Sequence, residues 1–164
     1  MGGGGGGDTR FELRPVLGEL ARLVDAVEAF AGRNGLDPAT AGRLTLALDE
    51  IFTNAVTYGG LPADAAVEIR LGLDGADLVA TVSDPGPAFD PLDEAVVAAE
   101  AAVDTGAPID ERPVGGLGLF IVRSLARELA YAREGSRNRL TMRFALPPPP
   151  PPRGPAHPAG EDRR

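Results

Sequence analysis

Residues 46–60 read LALDEIFTNAVTYGG. With Leu44 just upstream, Leu48, Ile51 and Ala55 recur at the spacing of one buried helical face. Glu50 and Asn54 are set into this apolar segment one turn apart, so a carboxylate and an amide project side by side. Glu50 can act as a general base if it reaches a hydroxyl or a water, and Asn54 can ligate magnesium through its amide oxygen. Taken alone, an i,i+4 polar pair is more often the solvated edge of a core helix.

Outward from this segment, Asp37-Pro38 is a helix start, a capping carboxylate followed by proline in the first turn, and Gly59-Gly60 is the stop. Upstream, Phe11, Leu13 and Val16 suggest a short opening strand. Apolar residues at 17, 20, 23, 24, 27 and 30 then mark an amphipathic helix that ends at Gly32 and Asn34-Gly35. Downstream, Val67 to Leu71 alternates as a half-buried strand, Asp74-Gly75 signals a hairpin, and Leu78 to Val82 returns. An alanine-rich stretch, Asp93 to Val103, reads as a helix, and so does Leu119 to Leu129. A closing hairpin is expected from Tyr131–Arg133 and Leu140–Phe144, around Gly135-Ser136-Arg137-Asn138. Helices over antiparallel strands imply a two-layer α+β sandwich.

The chain has 164 residues and a net charge of -8. The glycine run at the start and the proline tract after Leu146 bury too little to offset their ordering entropy. The expected organisation is a flexible terminus at 1–8, one folded unit at 9–146 and a disordered tail at 147–164. The acidity argues against a phosphate-backbone binder. No cysteine is present, which excludes thiol chemistry and disulfides. No apolar run approaches membrane-spanning length and no signal-peptide pattern opens the chain, so a cytoplasmic protein is expected. All 16 basic residues are arginine. A Walker-type phosphate loop, which needs its lysine, is therefore excluded.

Two further motifs carry chemistry. Asp84 ends an apolar strand just before Pro85-Gly86-Pro87. A carboxylate there can accept from an exocyclic amine such as that of adenine, and Gly86 lets the chain pass close to a ring. An ordinary Asp-Pro turn is the alternative. Gly115, Gly116 and Gly118 precede a helical pattern, so free amides at a helix N-terminus can receive phosphate oxygens; a flexible hinge is the alternative. The long segment between Ala88 and Val114 exceeds ordinary loop lengths and suggests a functional loop.

The three motifs occur in one order: Glu50-Ile51-Phe52-Thr53-Asn54, Asp84-Pro85-Gly86-Pro87 and Gly116-Leu117-Gly118-Leu119. In that order they resemble the nucleotide site of the GHKL (Bergerat-fold) ATPases. Across essentially the whole folded unit, the chain looks most like the anti-sigma-factor serine/threonine kinases of that superfamily. The resemblance implies a histidine-kinase-like ATPase domain, with a mixed, mostly antiparallel sheet and its helices on one face. It implies ATP and Mg²⁺ as cofactors, with Glu50 as the base and Asn54 as the metal ligand. Asp84 and Gly86 would bind adenine, and Gly116, Leu117, Gly118 and Leu119 would form the phosphate turn. Arg112 would add charge near the γ-phosphate. Tyr58 departs from the pattern, since relatives often carry a histidine or a basic residue there.

The function so implied is phosphorylation of a STAS-type anti-anti-sigma protein and sequestration of a sigma factor, by a homodimer. Two alternatives keep the same motifs: a nucleotide-binding interaction module without phosphotransfer, and a histidine-kinase-type catalytic domain acting in trans. The only histidine, His157, lies in the proline-rich tail, which argues against a self-contained histidine kinase.

Overall fold

Asp37 begins the helix that carries the first motif. Its carboxylate accepts from the Thr40 backbone N–H at 3.0 Å and from the Thr40 hydroxyl at 2.6 Å. The hydroxyl bond, seconded by the amide bond, lowers the Asp37 pKa below the ordinary aspartate value. The computed structural model describes residues 7–97 and 116–148.

From Asp37 the helix α2 runs over Pro38–Tyr58. Before it come the strand β1, Thr9–Leu13, and the helix α1, Leu20–Asn34, entered through a single 3-10 turn at Leu17–Glu19. Gly35 closes α1 in the left-handed conformation, at φ 62. The strands β2, Val67–Asp74, and β3, Asp77–Asp84, follow. After the undescribed segment come the helix α3, Gly116–Leu125, and the strands β4, Glu128–Glu134, and β5, Arg137–Ala145.

The sheet has the order β1-β2-β3-β5-β4, and every described pairing is antiparallel. The mixed sheet expected from the sequence is thus antiparallel throughout the described residues. One hydrophobic core lies between the helices and one sheet face. Leu23, Val27 and Phe30 of α1 and Leu44, Leu48 and Phe52 of α2 meet Val67, Ile69, Leu71, Leu78, Val82, Met142 and Phe144. Each large side chain buried there contributes about 1.5–3 kcal/mol. That anchorage fixes the rotation of α2 about its axis, and so the direction in which Glu50 and Asn54 project.

Three boundaries differ from expectation. The helix α3 starts at Gly116 and ends at Leu125, whereas the pattern predicts Leu119 to Leu129. Its glycines are first-turn helical residues, and at its far end the Arg127 N–H donates to the Arg143 carbonyl, turning the chain onto the sheet. Glu128 and Leu129 therefore pair with Arg143 and Met142. The closing turn is tighter than the four residues expected: Arg137 and Asn138 already belong to β5, and Gly135 makes the turn at φ 59. The helix expected at Asp93–Val103 lies largely outside the described residues, which show helical backbone only at 94–97.

Candidate functional site

Glu50 and Asn54 lie half-buried on α2, and among the described residues neither side chain has a hydrogen bond or an ion pair. What lies over them is the backbone of Gly118. A methyl group built on Gly118 would come 2.5 Å from Glu50 Oε2 and 3.3 Å from Asn54 Nδ2. The first described turn of α3 is thus brought against the carboxylate and the amide. Leu119 points its side chain into the core at 9% exposure and Val122 follows it, which seats α3 on α2. What Leu119 can offer a ligand is its backbone N–H. Gly116 and Leu117 belong to the same first turn. Arg112 lies outside the described residues.

The second motif sits at the other end of the same helix. A methyl group on Gly86 would come 2.7 Å from the Gly59 carbonyl oxygen, 2.8 Å from Asp84 Oδ1 and 3.0 Å from Leu61 Cδ2. Gly86 is therefore required by close approach: the end of α2, where Gly60 adopts φ 58, rests on the Asp84-Pro85-Gly86-Pro87 turn. From Glu50 to Gly59 the helix rises about 13 Å. The two ends are thus separated along α2 by a span suited to an elongated ligand.

Asp84 Oδ1 accepts from the Gly86 N–H at 2.8 Å and from Asn138 Nδ2 at 3.1 Å. Oδ2 has no partner among the described residues. Asn138 is 8% exposed and makes more contacts with the turn than any residue singled out from the sequence. Its Nδ2 also donates to the Pro87 carbonyl at 2.8 Å. Its Oδ1 accepts from the Tyr131 hydroxyl at 2.8 Å, from Arg133 Nη1 at 3.0 Å and from the Phe89 N–H at 3.3 Å. Arg133 Nη1 also donates to the Gly86 carbonyl at 2.8 Å. Arg137 secures the strand behind, donating to the Ser83 carbonyl at 2.8 Å and the Ala66 carbonyl at 3.1 Å. Arg123 ties α3 to the same segment through the Pro91 carbonyl, and burial lowers its pKa from the ordinary arginine value.

Sequence reasoning missed Asn138, Arg133 and the Gly59-Gly60 contact. A signal for Asn138 exists in the strand alternation: it shares parity with Leu140, Met142 and Phe144, all facing the core. An amide on that face must find partners.

Fold and site together define an α+β sandwich with two polar groups placed along α2. One is a carboxylate–amide pair, unpartnered among the described residues, against the first described turn of α3; the other is the half-satisfied Asp84 carboxylate beside Gly86. The model of the histidine kinase-like ATPase domain matches residues 13–144, and the chain belongs to that family. The family is one of ATP-binding domains, and the resemblance to the GHKL ATPases holds.

The chain is similar in structure to the RsbU and RsbW domains of Rv1364c from Mycobacterium tuberculosis. That likeness has a TM-score of 0.60 at 15% identity, and covers 85% of this chain and 32% of that one, so this chain spans about a third of its length. It is also similar to a chain of the SiaB–SiaC complex from Pseudomonas aeruginosa, with a TM-score of 0.54 at 14% identity, covering 84% and 89%. At these identities the likeness concerns the fold. No curated protein matches the chain in sequence. Among the described residues, no helix is long and apolar enough to cross a membrane.

Proposed function

We propose that this chain is an ATP-dependent serine/threonine-protein kinase of the anti-sigma-factor type. It phosphorylates a STAS-type anti-anti-sigma protein and, in its other partner state, sequesters a sigma factor, acting as a cytoplasmic homodimer with 9–146 as its folded unit. The observation that carries the reading is the approach of Gly118 to Glu50 and Asn54. A base without a partner among the described residues, a neutral amide side chain and the first described turn of α3 converge where a phosphoryl group can be held. The membership in an ATPase family supports it. The similar fold of SiaB–SiaC, a two-protein complex, supports a role exercised through a partner.

In this reading Asp84 Oδ2 accepts the adenine amine, with Gly86 under the ring. Asn54 would hold a magnesium ion through its amide oxygen, and the ion would supply charge that offsets the phosphates. The amides of Gly116, Leu117, Gly118 and Leu119, with Arg112, offset the triphosphate charge in a chain without lysine. Glu50 takes the proton of the acceptor hydroxyl as that oxygen bonds to the γ-phosphorus, and ADP leaves with the bridging oxygen.

The test is incubation with labelled ATP, Mg²⁺ and STAS-domain proteins. Acid-stable label on a partner serine or threonine is expected, with Glu50→Ala lowering transfer by about 10²–10⁴-fold while ATP still binds. Nucleotide binding without transfer to any partner would instead identify an interaction module, and acid-labile label on a histidine a histidine-kinase-type domain.

A further inference from the structure

Asp84 has two carboxylate oxygens, and a carboxylate free to rotate discriminates poorly between ligands that offer one amine and ligands that offer several donors. Here the rotation is opposed by the Gly86 N–H and by one other side chain, that of Asn138. Both Nδ2 hydrogens of Asn138 are committed, to Asp84 Oδ1 and to the Pro87 carbonyl, at 3.1 and 2.8 Å. Three donors on Oδ1, from Tyr131, Arg133 and Phe89, oppose an amide flip, since a flipped amide would set N–H against N–H. With the residue only 8% exposed, water does not readily replace these bonds.

We infer that Asn138 is the positioning residue for base selection: it pins Asp84 so that only Oδ2 faces the ligand. The inference rests on the proposed nucleotide reading and adds to it a residue 54 positions away in sequence. A pinned Oδ2 accepts from a 6-amino purine and opposes the carbonyl that a 6-oxo purine carries at the same place. An unpinned Asp84 can turn and accept the N–H groups on the neighbouring edge of guanine. Tyr131 and Arg133 act one step further out, by holding Asn138. The Arg133 charge also polarises the amide towards stronger donation.

The experiment measures equilibrium dissociation constants for ATP and for GTP, each with Mg²⁺, on the full chain and on Asp84→Ala, Asn138→Asp and Tyr131→Phe. The ratio of the two constants is the readout, because a partly unfolded sample changes both alike. Asn138→Asp keeps the size of the side chain but replaces the donor with an acceptor. The wild type is expected to prefer ATP, and Asp84→Ala to lose that preference. Asn138→Asp is expected to weaken ATP binding by about tenfold or more and bring the ratio towards one. Tyr131→Phe, which leaves the clamp in place with one donor fewer, is expected to shift the ratio the same way by a smaller factor. A wild-type ratio retained in Asn138→Asp overturns the inference while leaving the nucleotide site intact. If Asn138→Asp fails to fold, an unchanged ratio in Tyr131→Phe overturns it. A wild type that binds neither nucleotide overturns the nucleotide reading itself.

Discussion

Replacing Gly118 by alanine separates the packing of α3 from the chemistry beneath it. The added methyl would lie 2.5 Å from Glu50 Oε2 and 3.3 Å from Asn54 Nδ2. Ordinary contact needs roughly 3.5 Å, so the carboxylate must retreat by about 1 Å. The obstruction is the end of a flexible, half-buried side chain, and Gly118 has no positive φ that alanine would strain. Helix propensity favours alanine over glycine by up to about 1 kcal/mol. Stability should therefore change by no more than about 1 kcal/mol in either direction. Phosphotransfer should fall by about 10²-fold, the usual consequence of a misplacement near 1 Å at a reacting group, while ATP affinity changes by less than about tenfold. Single-turnover transfer of labelled phosphate, set beside thermal unfolding and nucleotide titration, tests all three. Wild-type transfer in a stably folded Gly118→Ala would refute the reasoning, because a displaced Glu50 would then be irrelevant to the rate.

Gly86→Ala should behave differently, since its methyl meets the Gly59 backbone oxygen at 2.7 Å. It is expected to lose about 1–3 kcal/mol in denaturant unfolding and to weaken ATP binding. Phe52→Ala, at a fully buried position, should cost about 3–5 kcal/mol by the same measurement. Glu68 bridges Arg10 and Arg70 on the outer sheet face. Burial acts to raise its pKa, but the hydrogen bonds from Arg70 and Arg10 outweigh this and bring it below 4.5. Its contribution is therefore present above the unfolded carboxylate range and is lost as pH falls through the lower folded value. Glu68→Gln should be less stable than wild type by under about 1 kcal/mol at pH 7, with the gap closing as acid unfolding curves are taken below pH 4.5.

Where local pattern and tertiary environment agree, the sequence is readable. The helix α2 was legible from cap to final glycine because its proline start, apolar stripe and terminal glycines all act locally. The β2–β3 hairpin was legible for the same reason, although its turn is shifted by one residue: Asp74 pairs with Asp77 and Gly75-Ala76 form the loop, with Gly75 at positive φ. Glu50 and Asn54 stood out as polar groups in an apolar run. The start of α3 was not legible, because glycines score as loop, and nothing local says that a bare backbone is needed over Glu50. Its end was missed because Arg127 to Leu129 continue a helical pattern that pairing with β5 overrides. Asn138 reads locally as a turn residue. Its partners lie 49 to 54 positions upstream as well as nearby on β4, and contacts of that range leave no periodicity to read.

The place of β5 in the sheet also bears on how the molecule is made. It is the last strand in the described chain, yet it is flanked on both sides, by β3 and by β4. A nascent chain that has exposed everything up to Asp84 holds that carboxylate but not the Asn138 amide that donates to it. It also leaves the β3 edge unpaired, ready to take up any strand that passes. Docking of the final hairpin closes that edge and completes the hydrogen bonds of the Asp84–Pro87 turn in one event. A truncation before Asn138 should accordingly forfeit base selectivity and resistance to aggregation together.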